Sequence, residues 1–121
     1  MSATTVHSKD GNLVVYFTDT KILSSERIEM IGKELQAAIP EATNKKLVLN
    51  FRGVTFMSSA MITKLLMLHK ACRAQGVELK FCEVSQNVLE VFRITKLTKL
   101  FDIHDSESKA VLSFGNKGLT G

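Results

Sequence analysis

Two kinds of hydrophobic run alternate along this chain. Four are short and dense: 13–17 (LVVYF), 47–51 (LVLNF), 77–81 (VELKF) and 101–103 (FDI). The first two are nearly continuous and rich in β-branched and aromatic residues, the mark of central strands covered on both faces. The third alternates strictly, which predicts one face wetter than the other. The fourth is short and suits an edge strand. Between them the apolar residues recur at three and four. Ile28, Ile31, Leu35 and Ala38 place a helix from Ser24 or Ser25 to about Ile39, stopped by Pro40. Ile62, Leu65, Leu66, His69 and Cys72 place a second from about Ser59 to Gln75, with Gly76 as its C-terminal cap. Val88, Val91 and Phe92 place a third from Gln86 to about Ile94, capped by Ser85, and Ala110, Val111 and Phe114 a fourth from Ser106 to about Phe114. Strand and helix alternate throughout. The pattern predicts an α/β fold whose sheet is largely parallel and covered by about four helices.

Length and composition narrow this to one domain. The chain has 121 residues, 45% hydrophobic and 23% charged, with one proline and no linker-like or repeated stretch. A core over about 13–114 and a flexible glycine-containing tail over 115–121 are expected. No apolar run reaches the ~18–20 residues of a membrane span, and residues 1–11 lack the layout of a secretion signal. The expectation is a cytoplasmic protein with no membrane role and two reduced thiols, Cys72 and Cys82. The net charge of +4 comes from scattered residues, with Lys45-Lys46 the only adjacent basic pair. A nucleic-acid partner is therefore not expected.

Catalytic patterns are missing from the sequence. It has no glycine-rich phosphate loop and no Gly-x-Ser-x-Gly elbow. His69 and Cys72 stand at i, i+3, but with Cys82 they make an incomplete ligand set, so no metal, cofactor or catalytic residue is expected. The informative stretch is 50–62 (NFRGVTFMSSAMI), where a strand ends, a glycine turn follows, Phe56 and Met57 point back to the core, and two serines open a helix. Ser58 is placed to cap that helix through its hydroxyl, and the plainest reading of the stretch is a capped helix. The functional reading is a regulatory phosphoserine. A phosphate at a helix N-terminus suits the helix dipole and adds about −1.5 to −2 charges to a contact surface.

With these residues the chain resembles STAS domains, the fold of the bacterial anti-sigma factor antagonists. The resemblance spans roughly 13–114 and rests on three stretches: 47–51 followed by 54–59, 76–82 (GVELKFC), and 88–97 with 100–103. It implies a STAS-like superhelical sandwich of four to five strands in a mostly parallel or mixed sheet. It also implies a non-enzymatic antagonist that binds an anti-sigma factor with serine kinase activity. Such an antagonist is released when a serine is phosphorylated and reset by a phosphatase. In ungapped register the accepting serine is Ser59, with Ser58 as the alternative. The implied contact surface comprises Thr55, Met57, Ser58, Ser59, Ala60, Met61 and Thr63 with Asp19, Lys21 and Ser24. Met61 can be read equally as surface or as core. The family has an aspartate before its serine, where Ser58 stands, and Ser/Thr-Gly after it, where Ala60-Met61 stand. A non-phosphorylated scaffold in another signalling assembly is the second reading. A monomer or weak dimer is expected.

Overall fold

A computed structural model describes residues 2–120, with side chains to Phe114. The predicted alternation holds. The strands are β1 (Thr4–Lys9), β2 (Asn12–Phe17), β3 (Lys21–Ile22), β4 (Lys46–Asn50), β5 (Phe56–Met57), β6 (Glu78–Cys82) and β7 (Asp102–His104). The helices are α1 (Ser25–Glu41), α2 (Ser59–Gln75), α3 (Gln86–Ile94) and α4 (Glu107–Thr120). Five strands form one sheet in the order β1-β2-β4-β6-β7. β2, β4, β6 and β7 run parallel, and β1 is antiparallel to β2.

β1 falls in a stretch whose polar residues hid it. Its signal is Asp10-Gly11, which turns the chain with φ of 52° and 80°. Two positive φ values in a two-residue loop match the twist of a tight hairpin. The start of β1 is fastened to α1 by Glu34, whose carboxylate accepts from the N–H groups of Ala3 (2.9 Å) and Thr4 (3.0 Å) and from the Thr4 hydroxyl. α1 runs one residue beyond Pro40 and closes with the Ala42 N–H on the Ile39 carbonyl. α4 continues the predicted helix past Phe114. The tail expected to be flexible, 115–121, lies outside the residues whose side chains are described.

Alternation along the strands sorts side chains to two faces. Leu13, Val15, Leu47, Leu49, Phe51 and Phe81 face the buried residues of α1, α2 and α3. Phe51, at the end of β4, is fully buried and lies 4.8 Å from the Phe17 ring, 5.2 Å from Phe81 and 6.4 Å, edge-on, from Phe92. These distances are those of favourable aromatic pairs. On the opposite face Val14, Val48 and Cys82 pack under Ala110 and Phe114 of α4. The wetter face expected of β6 is therefore covered. Lys80 is only 3% exposed; its ammonium donates to Asp102 Oδ2 at 2.5 Å and stands 4.9 Å from the Phe114 ring. Burial of a cation is tolerable here because it is both paired and over an aromatic face.

At the end of that face Glu107 ties α4 to the sheet. Its carboxylate accepts from Tyr16 Oη (2.6 Å), Asn50 Nδ2 (2.9 Å) and Lys9 Nζ (3.0 Å). Burial pushes the Glu107 carboxyl up, and these three donors outweigh it, leaving it below its ordinary value. Glu34 behaves alike: burial raises it, and the Thr4 hydroxyl with the two N–H groups lowers it further.

Two outcomes are expected. Phe51→Ala should lower unfolding stability by about 3–5 kcal/mol, the usual cost of emptying an aromatic core site, read as a lower urea midpoint at constant slope. Glu34 and Glu107 have depressed pKa values in the folded state, so their stabilisation is complete above the ordinary carboxyl value of 4.5. It is lost as pH falls through the lower, folded values. The urea midpoint should therefore fall on acidification below about pH 4.5. Glu34→Gln with Glu107→Gln should flatten that fall while lowering the neutral-pH plateau.

Candidate functional site

The chain leaves β4 at Asn50, whose Oδ1 accepts from the Arg52 N–H at 2.8 Å. Gly53 takes a φ of 86°, a backbone region that glycine enters without penalty. The chain then returns as β5, which pairs in parallel with β3, Lys21 opposite Phe56 and Ile22 opposite Met57. The pairing extends at both ends. The Thr55 N–H donates to the Thr20 carbonyl at 2.8 Å, and the Ser58 N–H to the Ile22 carbonyl at 3.0 Å. The two loops named from the sequence, 19–24 and 55–59, are thereby zipped side by side. Asp19 secures the first of them through a two-point ion pair with Arg27, both contacts 2.9 Å, which holds the Asp19 carboxyl below its usual range. Ser24 caps α1, its hydroxyl accepting from the Arg27 N–H at 3.1 Å.

Apolar anchors set the depth of this ribbon. Ile22 is fully buried and Met57 3% exposed, so both point inward. Met61 is also fully buried. Met57 and Met61, both included in the expected contact surface, are core residues: each lies on the inward side of its element and packs among Ile22, Leu65 and their neighbours. Phe56 is corrected in the opposite sense. Neighbours in a strand point to opposite sides, so once Met57 turns in, Phe56 turns out and stays 48% exposed. Leu23, 51% exposed, joins it on the surface from the other loop. The sequence reading turned Phe56 inward because an apolar residue beside a buried one is ordinarily assigned to the core. The signal for Phe56 was its alternation with Met57.

The two serines differ. Ser58 is the N-cap residue of α2 by backbone, but its hydroxyl makes no capping bond, and Oγ is buried without a hydrogen-bond partner. The capping role expected of its side chain is absent, although its carbonyl accepts from Met61 N–H at 3.0 Å. Ser59, the first residue of α2, is exposed, as are Ala60, Thr63, Thr55 and Lys21. No carboxylate occupies the first turn of α2. The structure thus groups Ser59, Phe56, Leu23, Thr55 and Ala60 at one end of the molecule and leaves a helix N-terminus there, where negative charge is favoured.

The remaining chemistry-bearing groups are elsewhere. Both cysteines are free and buried, and burial pushes the Cys72 thiol up to about 11 and the Cys82 thiol to about 12. Neither is a thiolate at neutral pH. His69 is half-buried, its ring 5.8 Å from that of Phe101; burial and then Arg73 lower its pKa. Among the described residues no three His, Cys, Asp or Glu side chains are grouped to hold a metal ion. No helix there is long and apolar enough to cross a membrane.

Residues 4–110 match the STAS domain family. The chain belongs to it. The chain is 27% identical over 110 residues to BtrV of Bordetella bronchiseptica, whose name carries the words anti-sigma factor antagonist. That alignment covers 91% of this chain and 92% of BtrV. The structure superposes on an anti-sigma-factor antagonist (STAS) domain protein from Planctomyces limnophilus with a TM-score of 0.84 at 22% identity, covering 93% of this chain and 97% of that one. It also superposes on the Bacillus cell fate determinant SpoIIAA in its phosphorylated form, with a TM-score of 0.68 at 17% identity and coverage of 93% and 99%. At these identities the two superpositions establish the fold. It is the α/β sandwich of STAS domains, with a mixed five-stranded sheet.

The unequal serines give a direct check. Ser24→Ala and Ser85→Ala each remove a capping bond, to Arg27 N–H and Val88 N–H, and should each cost about 0.5–2 kcal/mol of stability. Ser58→Ala removes an unbonded buried hydroxyl and should be neutral or mildly stabilising. Chemical denaturation of the three variants side by side reads the difference.

Proposed function

We propose that this STAS domain is an anti-sigma factor antagonist working by partner switching. Its unphosphorylated form docks on an anti-sigma factor that is also a serine kinase. Docking uses the surface made by Leu23, Thr55, Phe56, Ser59 and Ala60, with Lys21 and Thr63 at its margins. Ser59 is the phosphoacceptor, and phosphorylation ends the complex until a phosphatase removes the phosphate.

The observation that carries this reading is the exposure of Ser59 at the first turn of α2, with Phe56 and Leu23 turned outward on the two paired loops that lead to it. Exposed apolar side chains around a polar centre supply contact area. A dianion introduced among them would have to be desolvated in the complex, which is costly without a cationic partner. The folded domain itself tolerates that charge, since the helix dipole favours it. A non-phosphorylated scaffold is the second reading. It draws on Ser58, which occupies the position of the family's aspartate and leaves the acceptor without an acidic neighbour.

Intact-mass analysis with site mapping, on protein isolated from its own cells in growth and under stress, tests the switch. The expected result is a condition-dependent fraction one phosphate heavier, mapped to Ser59 and not Ser58. Absence of phosphate under every condition would replace the switch with the scaffold. Phe56→Ala and Ser59→Asp should each weaken capture of the partner kinase by about tenfold or more, while the unfolding midpoint changes little because both side chains are exposed.

A further inference from the structure

A second feature of α2 adjoins that surface at Thr63 and is otherwise built from different residues. Between α2 and Leu100, which follows the 3₁₀ turn Leu97–Lys99, runs an open groove of about 570 Å³. Leu66, Met67 and Leu100 form its apolar lining, with Met67 50% and Leu100 41% exposed. Lys70 and Arg73 stand on its rim, and Thr63 lies at its head, one helical turn beyond Ser59. Among the described residues no carboxylate lines it.

Charge is distributed to match. Residues 59–101 carry seven Lys and Arg against three Asp and Glu, which is the whole net excess of +4; the rest of the chain balances. Within that stretch Lys64, Lys80 and Arg93 are neutralised by Glu29, Asp102 and Glu90. The other four, Lys70, Arg73, Lys96 and Lys99, have no ion-pair partner among the described residues. Two of these four, Lys70 and Arg73, border the groove, beside exposed apolar surface.

The geometry points to a helical occupant. Positions 63, 66, 67, 70 and 73 make a straight wall about 15 Å long at ~1.5 Å per residue, the length of a three-turn helix laid alongside. We propose that this groove receives an acidic amphipathic helix of the partner protein. The helix would set apolar side chains at i, i+3 and i+7 against Leu66, Met67 and Leu100 and flanking carboxylates against Lys70 and Arg73. This rests on the reading of the protein as a partner-binding module, and does not depend on phosphorylation of Ser59.

The probe is a synthetic helical peptide of about sixteen residues, with leucines at those spacings and glutamates on both flanks; its counterpart carries lysine at every glutamate. Titration of the isotopically labelled protein, followed by NMR, should show the acidic peptide shifting Met67, Lys70, Arg73 and Leu100. Lys70→Glu with Arg73→Glu should weaken it by roughly tenfold or more and make the lysine peptide the better ligand. Both cations are exposed, so an unchanged thermal midpoint verifies the fold of the variant. Ser59→Ala should leave peptide affinity unchanged, so loss of the groove interaction and loss of the phospho-switch are read separately. The proposal is overturned if the acidic peptide leaves the groove resonances unmoved, if wild type binds the two peptides equally, or if the double reversal has no effect. Groove shifts produced by laurate or by a DNA duplex, with none from the acidic peptide, would likewise overturn it.

Discussion

Phe51 is the point on which this structure turns. It directly follows β4, and its ring meets one aromatic from β2, one from β6 and one from α3. Three strands and a helix are therefore registered against one side chain. Directly after it the chain must leave the sheet, and the Phe51 N–H is fixed to the Cys82 carbonyl at 3.0 Å. The loop to Ser59 starts from a rigid post, which is why a segment of irregular backbone can present a side chain in a defined place.

The loop is held a second time at its far end. The β3–β5 ribbon is only two residues long in each strand, too short to be stable by itself. It persists because Ile22, Met57 and Met61 fill the core beneath it. Burial of those three determines that Phe56 and Leu23 are left outside. The outward surface is thus a by-product of inward packing, and the two cannot be varied independently: a change at Met57 or Met61 would move Ser59 without touching it.

Much of this was legible in the sequence. The dense runs gave the four parallel strands, the spacings at three and four gave the helices, and the stretch around Ser58 and Ser59, together with 76–82 and 88–103, gave the family. The errors share one cause. A periodic pattern reports which side of an element a residue occupies, not whether another element covers that side. Lys80 was assigned to a wetter face that α4 in fact covers. Met61 stood undecided between loop surface and core until the packing beneath β5 placed it. Phe56 was assigned inward because its neighbour is. β1 was lost for a related reason: an edge strand with one half-exposed valine needs its partner β2 to become a strand at all, and only Asp10-Gly11 marked the turn between them.

The adjacent serines at the head of α2 carry the same hydroxyl group, and in an extended peptide both would be open to solvent. The fold separates them, by enclosing the Ser58 hydroxyl and leaving Ser59 outside. Any reagent that needs a free hydroxyl therefore meets Ser59 on the closed domain and Ser58 only once the helix start has opened.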